Sequence, residues 1–285
     1  MKLYELLAEG EKRLKAAGIA EYAVDAYELL ELAGAFNRSY YLLNKQEQVL
    51  DELRVKYLDY IDTRAKHIPL QHISHRQCFM GLDFYVDESV LIPRYDTEVL
   101  VDRILKLVDS FAREEAAKEL EVLDMCTGSG CIGISIAKLS QMKVQVDCAD
   151  LSEAALGVAK KNAEKIGVEV NFIQSDLFTN IDKKYDIIVS NPPYIRSQVI
   201  PTLMEEVREH EPMMALDGSE DGLLFYRKIV AAAAKHQKEG GYLFFEIGHD
   251  QGEAVKALME AAGYINTEII KDLAGLPRVV WGQAG

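Results

Sequence analysis

Apolar residues in the first 75 positions recur at helical spacing. The pattern predicts a helix over residues 3–17, which Gly18 ends, and a second helix over residues 21–33. A longer helix is predicted from about residue 49 to a point before Pro69. Residues 1–75 are therefore predicted to form a small all-helical domain.

The next segment, residues 76–95, has a different pattern. Phe79, Leu82, Phe84 and Val86 are spaced as in strands, and Gly81 stands where a turn is needed. This spacing favours a hairpin over a helix. We therefore expect a linker with two short strands.

From Asp96 the pattern alternates between helix and strand. A helix with one apolar face is followed by strand-like runs at residues 122–125, 144–149, 170–174, 185–190 and 242–247. This alternation predicts a doubly wound, mostly parallel α/β domain over residues 96–285. The last two apolar runs, at residues 264–270 and 278–281, are close enough to pair as an antiparallel edge.

Composition narrows the class of protein. The chain has 285 residues, of which 49% are hydrophobic and 27% charged, enough for about two domains. Its net charge of −14 disfavours binding to a phosphate backbone, so we expect no direct nucleic-acid binding. We expect a cytoplasmic protein, since no segment has the pattern of a signal peptide or a membrane span. A monomer is expected because no repeated exposed apolar stripe is evident.

The four cysteines are not arranged as metal ligands. Cys78, Cys126, Cys131 and Cys148 form no CxxC pair and have no histidine cluster at zinc-ligand spacing. We expect no metal site and reduced, mostly buried thiols.

A glycine-rich loop follows the first strand of the α/β domain. Gly128, Gly130 and Gly133 have the GxGxxG spacing, which lets a ligand approach the backbone N–H groups at the start of a helix. The spacing alone fits NAD, FAD or S-adenosylmethionine, and also a plain strand-to-helix turn. Asp150 closes the second strand, where a carboxylate can bind a ribose diol. Its alternative role is a helix N-cap, for which Ser152 is better suited.

Asp176 follows the third strand of the domain. At that position it can meet the base of the same ligand, with turn formation as the alternative.

The sequence Asn191-Pro192-Pro193-Tyr194 follows the strand over residues 185–190. Two prolines restrict the backbone, so the Asn191 side chain and the Pro192 carbonyl can point rigidly toward one place. Such a pair of acceptors can hold both protons of an NH₂ group, and Tyr194 can pack flat against a planar amide or base. The arrangement suits transfer of an electrophile to a planar nitrogen. A dehydrogenase function does not explain this tetrapeptide.

Asn-Pro-Pro-Tyr in this position resembles the signature of S-adenosylmethionine-dependent amino methyltransferases. Nearly the whole chain resembles the HemK/PrmC family, protein-(glutamine-N5) methyltransferases that act on peptide chain release factors. The segments that carry the resemblance run from residues 64–73 and 91–98 through 191–195 to 211–212, 215–218 and 221–223.

The resemblance implies a seven-stranded S-adenosylmethionine methyltransferase sheet, preceded along the chain by a helical substrate-recognition domain. It implies methyl transfer to the glutamine N5 of the Gly-Gly-Gln motif, with S-adenosylhomocysteine as product. By the resemblance, Asn191, Pro192, Pro193 and Tyr194 bind the glutamine. The implied cofactor residues are Cys126, Thr127, Gly128, Ser129, Gly130, Asp150, Asp176, Leu177 and Asn191.

Three residues depart from the family pattern: Cys126 replaces a glycine, Tyr95 a proline and Leu177 a commonly aromatic residue. None of them removes a polar catalytic group. Two other functions stay open at this stage. One is DNA adenine-N6 methylation, which requires a basic surface and base flipping. The other is a non-catalytic adaptor that keeps the nucleotide fold.

Overall fold

The structure is a computed structural model that describes residues 1–113 and 119–285. The helices are α1 (Leu3–Ala16), α2 (Tyr22–Gly34), α3 (Arg38–Asn44), α4 (Asp51–Arg64), α5 (Leu70–Ser74), α6 (Glu98–Arg113), α7 (Cys131–Leu139), α8 (Glu153–Ile166), α9 (Glu205–His210), α10 (Met213–Leu216), α11 (Leu224–His236) and α12 (Gly252–Ala261). The strands are β1 (Gln77–Phe79), β2 (Leu82–Phe84), β3 (Leu120–Met125), β4 (Val144–Asp150), β5 (Asn171–Gln174), β6 (Tyr185–Ser190), β7 (Gln237–Glu246), β8 (Tyr264–Lys271) and β9 (Pro277–Ala284). Within the described ranges, no helix is long and apolar enough to cross a membrane.

The chain divides into two compact units. The first comprises Met1–Arg76 together with Met204–His210, and the second comprises Gln77–Leu203 and Glu211–Gly285. The β1–β2 hairpin thus belongs to the second unit, and the segment that contains α9 belongs to the first.

The first unit is helical, as the periodicity predicts. Leu6, Leu14, Leu29, Tyr57 and Ile61 are fully buried in its core, on the inward faces of α1, α2 and α4. The three predicted helices are confirmed within a few residues of their expected ends, whereas the short α3 and α5 were not predicted. Helices of so few residues carry too little periodic signal to be distinguished from loops.

A buried ion-pair group joins α9 to this helical core. Arg64 Nε lies 2.7 Å from Asp25 Oδ2, and Arg64 Nη2 lies 2.8 Å from Glu206 Oε1. The Arg64 and Asp25 side chains are each only 8% exposed, so each charge depends on its partner.

The second unit contains a seven-stranded sheet in the order β5-β4-β3-β6-β7-β9-β8. Strands β3 to β7 run parallel, and β9 pairs antiparallel with both β7 and β8. Alternate residues of β3 and β6 enter different cores. Val122 and Ile187 pack with α6 and α7, while Leu123 and Ile188 pack with α11. Helices on both faces make the sheet doubly wound, as predicted.

The structure adds a strand order to one detail of the sequence prediction and corrects another. The last two strands pair antiparallel, as predicted, and of these two it is β8 that lies at the edge of the sheet. Strand β9 inserts between β7 and β8, and its residues Val279–Gly282 are buried. The hairpin strands end at Phe84, and Val86 lies beyond them, packed with Val158 of α8.

Candidate active site

The site begins where two neighbouring parallel strands end. Met125 of β3 and Ser190 of β6 are partners in the register, so Cys126 and Asn191 follow them side by side. The Ser190 hydroxyl donates to the Met125 carbonyl at 2.8 Å. Since β4 lies on the other side of β3, the strand order reverses here, and a crevice forms outside the carboxyl ends of the strands.

One pocket in the second unit collects most of the residues that the sequence points to. The predicted residues that line it are Cys126, Thr127, Gly128, Ser129, Asp150, Asp176, Leu177, Asn191 and Pro193. Gly130, Pro192 and Tyr194 are not among its lining residues. The predicted cofactor loop and the start of the Asn-Pro-Pro-Tyr segment therefore face the same space.

The glycine loop is tied to the end of β4. Gly128, at φ +54°, donates its N–H to Asp150 Oδ2 at 2.9 Å, and the Ser152 N–H donates to Oδ1 at 2.9 Å. Burial raises the pKa of the Asp150 carboxyl. Each oxygen accepts one backbone N–H and keeps further acceptor capacity for a ligand hydroxyl. Ser152, whose hydroxyl accepts the Ala155 N–H at 3.1 Å, is the helix N-cap, as the sequence favours.

Gly130 does not line the pocket but supports the loop at the start of α7. Its N–H donates to the Thr127 carbonyl at 2.8 Å, and its φ is +80° at the N-cap of α7. A Cβ here would lie 2.6 Å from Ile134 Cδ1 and 3.1 Å from Ala159 Cβ, and the positive φ is itself unfavourable for other residues, so glycine fits this position best.

Asp124 is a buried anchor that the sequence analysis did not single out. Its Oδ2 accepts the Thr127 hydroxyl at 2.5 Å and the Gly133 N–H at 2.8 Å. Complete burial, with a smaller effect of the Asp150 charge, raises the pKa of Asp124 to about 7. The available signal was a carboxylate inside the otherwise apolar run of residues 122–125.

Asn162 of α8 braces the loop from another direction. Its Nδ2 donates to the Ser129 carbonyl at 2.9 Å and to the Tyr85 carbonyl at 3.0 Å, and its Oδ1 accepts the Tyr85 N–H at 2.6 Å. Asn162 is fully buried. It thus joins the segment after the β1–β2 hairpin to the glycine loop, a role that nothing in the sequence of α8 indicates.

Two of the segments that carry the family resemblance, residues 91–98 and 211–212, meet at the pocket. Arg94 Nη2 donates to both carboxylate oxygens of Glu211 at 2.7 Å. Glu211 is buried, and that burial raises the pKa of its carboxyl. Arg94 and the neighbouring Pro212 both line the pocket, so the ion pair shapes the wall near Asn191.

The Asn-Pro-Pro-Tyr segment is held at its tyrosine. The Tyr194 hydroxyl donates to Glu246 Oε1 at 3.4 Å, and Gln251 Nε2 donates to the Tyr194 carbonyl at 2.9 Å. Burial raises the pKa of Tyr194, so the phenol stays protonated, and raises the pKa of Glu246 to about 7. Neither Glu246 nor Gln251 was found from the sequence, because each lies more than fifty residues from Tyr194.

The family departures at Cys126 and Leu177 share one backbone feature. Cys126 has a φ of +61° and Leu177 a φ of +49°. Both values lie in the left-handed region, which glycine adopts more readily than other residues. Burial raises the pKa of the Cys126 thiol to about 12, so it lines the pocket as a neutral group. All four cysteines are free thiols, Cys131 and Cys148 being buried and Cys78 exposed.

Two family models match the chain: the methyltransferase small domain over residues 102–210 and the PrmC N-terminal domain over residues 5–74. A solved methyltransferase from Pyrococcus furiosus is similar in fold, with a TM-score of 0.52 at 16% identity, over 79% of this chain and 98% of that one. The sheet order, the crevice and these matches define the class, an S-adenosylmethionine-dependent methyltransferase with a seven-stranded sheet.

Curated relatives are similar over nearly their whole length. The release factor glutamine methyltransferase of Clostridium acetobutylicum is 39% identical over 290 residues, 100% of this chain and 99% of the relative. That of Moorella thermoacetica is 39% identical over 282 residues, 98% of this chain and 97% of the relative. The chain belongs to the release factor glutamine methyltransferase family, which confirms the resemblance seen in the sequence.

Proposed function

We propose that the chain transfers the methyl group of S-adenosylmethionine to the N5 side-chain nitrogen of the glutamine in the Gly-Gly-Gln motif of bacterial peptide chain release factors. The observation that carries this proposal is the convergence of Cys126–Ser129 and Asn191 at one crevice. Family membership supplies the substrate class.

The pocket fits the proposed cofactor. Asp150 presents a carboxylate for the ribose hydroxyls, and Leu177 presents an apolar surface for the adenine, with Asp176 beside it. A Cβ on Gly128 would have no atom within 4 Å, so a ligand can approach the backbone there. When bound there, S-adenosylmethionine supplies an electrophilic sulfonium methyl group.

The chain's own part in the chemistry is to orient the glutamine amide. In this proposal, Asn191 Oδ1 and the Pro192 carbonyl accept the two amide hydrogens, and Tyr194 packs against the amide plane. An amide nitrogen is a poor nucleophile because its lone pair is delocalised, so orientation must offset that deficit. Both acceptors bind more strongly as the nitrogen becomes positive, which stabilises the transition state more than the ground state. The methylated nitrogen then releases its proton to water.

DNA adenine methylation is not favoured. A duplex target requires base flipping and a surface that neutralises phosphates. The net charge of −14 opposes such a surface. The relatives of the chain also carry names that specify glutamine methylation.

The test is a methyl-transfer assay with labelled S-adenosylmethionine and, separately, a bacterial release factor and adenine-containing duplex DNA. We expect label on the glutamine of the factor's Gly-Gly-Gln motif, located by mass spectrometry. Label on DNA alone would contradict the substrate class.

Asn191→Ala isolates the proposed acceptor. Removing an acceptor that binds most strongly in the transition state should lower kcat by roughly 100-fold while the cofactor Kd stays within about threefold. Asn171→Ala is the matched control, since Asn171 begins β5, away from the crevice, and bonds Asp147 at 2.8 Å. Equal turnover in the two variants would refute the assignment of Asn191.

We further propose the domain assignment 1–75 for substrate recognition, 76–95 as linker and 96–285 for methyl transfer, in a monomer that acts in the cytoplasm. The match of the PrmC N-terminal domain to residues 5–74 supports the first boundary. Crosslinks from a bound release factor to residues 1–75, and a mass near 32.0 kDa by light scattering, are the expected results.

A further inference from the structure

Gln251 connects three separate segments through one buried side chain. It is 4% exposed and lies at the N-cap of α12. Its Nε2 donates to the Tyr194 carbonyl at 2.9 Å and to the Gly222 carbonyl at 3.2 Å. Its Oε1 accepts the Gly248 N–H at 2.9 Å. The donors and the acceptor of this amide are therefore all engaged, two of the bonds being to backbone carbonyls on other segments.

Two glycines also pack closely against the Tyr194 backbone. A Cβ on Gly222, at φ +74°, would lie 2.4 Å from the Tyr194 carbonyl oxygen, and a Cβ on Gly218 would lie 2.7 Å from the Tyr194 Cα. The Gly218 N–H also donates to the Ile195 carbonyl at 2.8 Å. Residues 218–222 and Gln251 thus clamp the backbone at the end of the Asn-Pro-Pro-Tyr segment.

We propose that Gln251 is a positioning residue for methyl transfer, which acts by holding the Tyr194 carbonyl and so the orientation of residues 191–194. This inference rests on the proposed function. Gln251 is buried and its amide is already bonded to Gly248, Tyr194 and Gly222, so it acts through Tyr194 and not by contact with a ligand.

The two prolines transmit a displacement of Tyr194 to the acceptors on Asn191 and Pro192. Pro192 and Pro193 restrict the backbone between Asn191 and Tyr194, so a displacement at Tyr194 is passed on to the acceptors with little absorbed on the way. A misplacement of about 1 Å at a reacting group can lower a rate by roughly 100-fold. We therefore expect loss of the Gln251 bond to lower kcat/KM for the release factor by roughly 10- to 100-fold.

The variant Gln251→Glu separates positioning from simple structural support. An ionised glutamate keeps the acceptor for the Gly248 N–H but cannot donate to the Tyr194 carbonyl, whereas a protonated one can donate once. Burial and the two facing carbonyl oxygens raise the pKa of the new carboxyl. Activity of this variant relative to wild type should therefore recover as the pH falls.

A group whose pKa is the same in both proteins cancels from the activity ratio. Gln251→Ala carries no carboxyl at this position, so its ratio to wild type should not recover as the pH falls. The titratable groups near Gln251 are Tyr194, Tyr226, Glu246, His249, Asp250 and Glu253. Arg196 pairs with Asp250, and the Arg278 charge acts on Glu246.

The experiment compares wild type, Gln251→Glu, Gln251→Ala and the control Gln283→Ala. Gln283 donates to the Gly240 carbonyl at 3.0 Å, near the start of β7, so its loss removes a similar bond far from Tyr194. Methyl transfer to the release factor is measured at saturating S-adenosylmethionine from about pH 6 to about pH 8.5, and the cofactor Kd by calorimetry.

The expected result is a roughly 10- to 100-fold lower kcat/KM for Gln251→Glu at high pH, with at least about fivefold recovery of the ratio at low pH. Gln251→Ala should be impaired at every pH with a cofactor Kd within about twofold of wild type, and Gln283→Ala should resemble wild type. A flat ratio for Gln251→Glu would overturn the proposal. If circular dichroism shows Gln251→Glu unfolded, Gln251→Ala decides, and wild-type kcat/KM in that variant overturns it. An inactive wild type would instead show that the proposed function has failed.

Discussion

Replacing Asp124 with asparagine tests the electrostatics of the glycine loop. The carboxyl is fully buried, its Oδ2 accepts two hydrogen bonds, and its Oδ1 makes none within the described part of the chain. Asparagine has nearly the same shape, and its amide oxygen can accept the Thr127 hydroxyl and the Gly133 N–H. The substitution thus removes the titration of the group and keeps the two contacts.

The expected magnitude follows from the pKa of Asp124. A rise from 3.8 to about 7 on folding corresponds to about 4 kcal/mol, at about 1.4 kcal/mol for each tenfold change in proton affinity. Because the folded-state pKa is raised, this stability is fully present below about pH 4 and is lost as the pH rises through about 7. Asp124→Asn should lack that loss, so its stability relative to wild type should increase with pH.

The assay is urea unfolding of both proteins from about pH 5 to about pH 8.5. The single tryptophan, Trp281, lies in β9 and reports on the unit that contains the site. The free energy of unfolding of Asp124→Asn minus that of wild type should rise by about 1.4 kcal/mol per pH unit up to about pH 7 and then level off. Glu246, whose pKa is also about 7, is present in both proteins and cancels. A difference independent of pH would refute the reasoning, because it would mean that Asp124 is ionised throughout.

Two further predictions concern buried polar groups. Asn162→Ala removes three hydrogen bonds to backbone atoms and should lower the free energy of unfolding by roughly 2 to 4 kcal/mol, measured by urea denaturation. A change below about 0.5 kcal/mol would contradict the bracing role. Arg64→Ala leaves Asp25 buried without its partner and should cost roughly 3 to 5 kcal/mol. Arg54→Ala, which breaks an exposed pair, should change stability by less than about 1 kcal/mol in the same denaturation series, and equal losses in the two arginine variants would disprove the distinction.

The elements of the fold could be predicted because their signals are local. The spacing of apolar residues in α1, α2 and α4, and in strands β3 to β7, appears within each segment itself. The glycine spacing and the tetrapeptide Asn191–Tyr194 are likewise contained in short stretches whose backbone restrictions act on neighbouring residues. For this reason most of the site residues that the sequence pointed to line the pocket, and the same short stretches carried the family resemblance.

The order of the last strands could not be decided this way. Two apolar runs that pair with each other leave open which one joins the sheet. The structure places β9 inside, where Val279 and Val280 are fully buried, and leaves Ile265 of β8 half exposed at the edge. The choice depends on which strand can bury both faces between neighbours, a property of the assembled sheet.

The supports of the site were decided only by tertiary structure. Arg94 meets Glu211 across 117 positions, Asn162 meets Tyr85 across 77, and Gln251 meets Tyr194 across 57. Each partner is an ordinary polar residue in its own segment, with no pattern that marks it. The sequence by itself therefore determined the elements, the motifs and the class of chemistry, because these depend on neighbouring residues. Which buried polar groups hold the motifs in place depends on contacts between distant segments, and those exist only once the chain has folded.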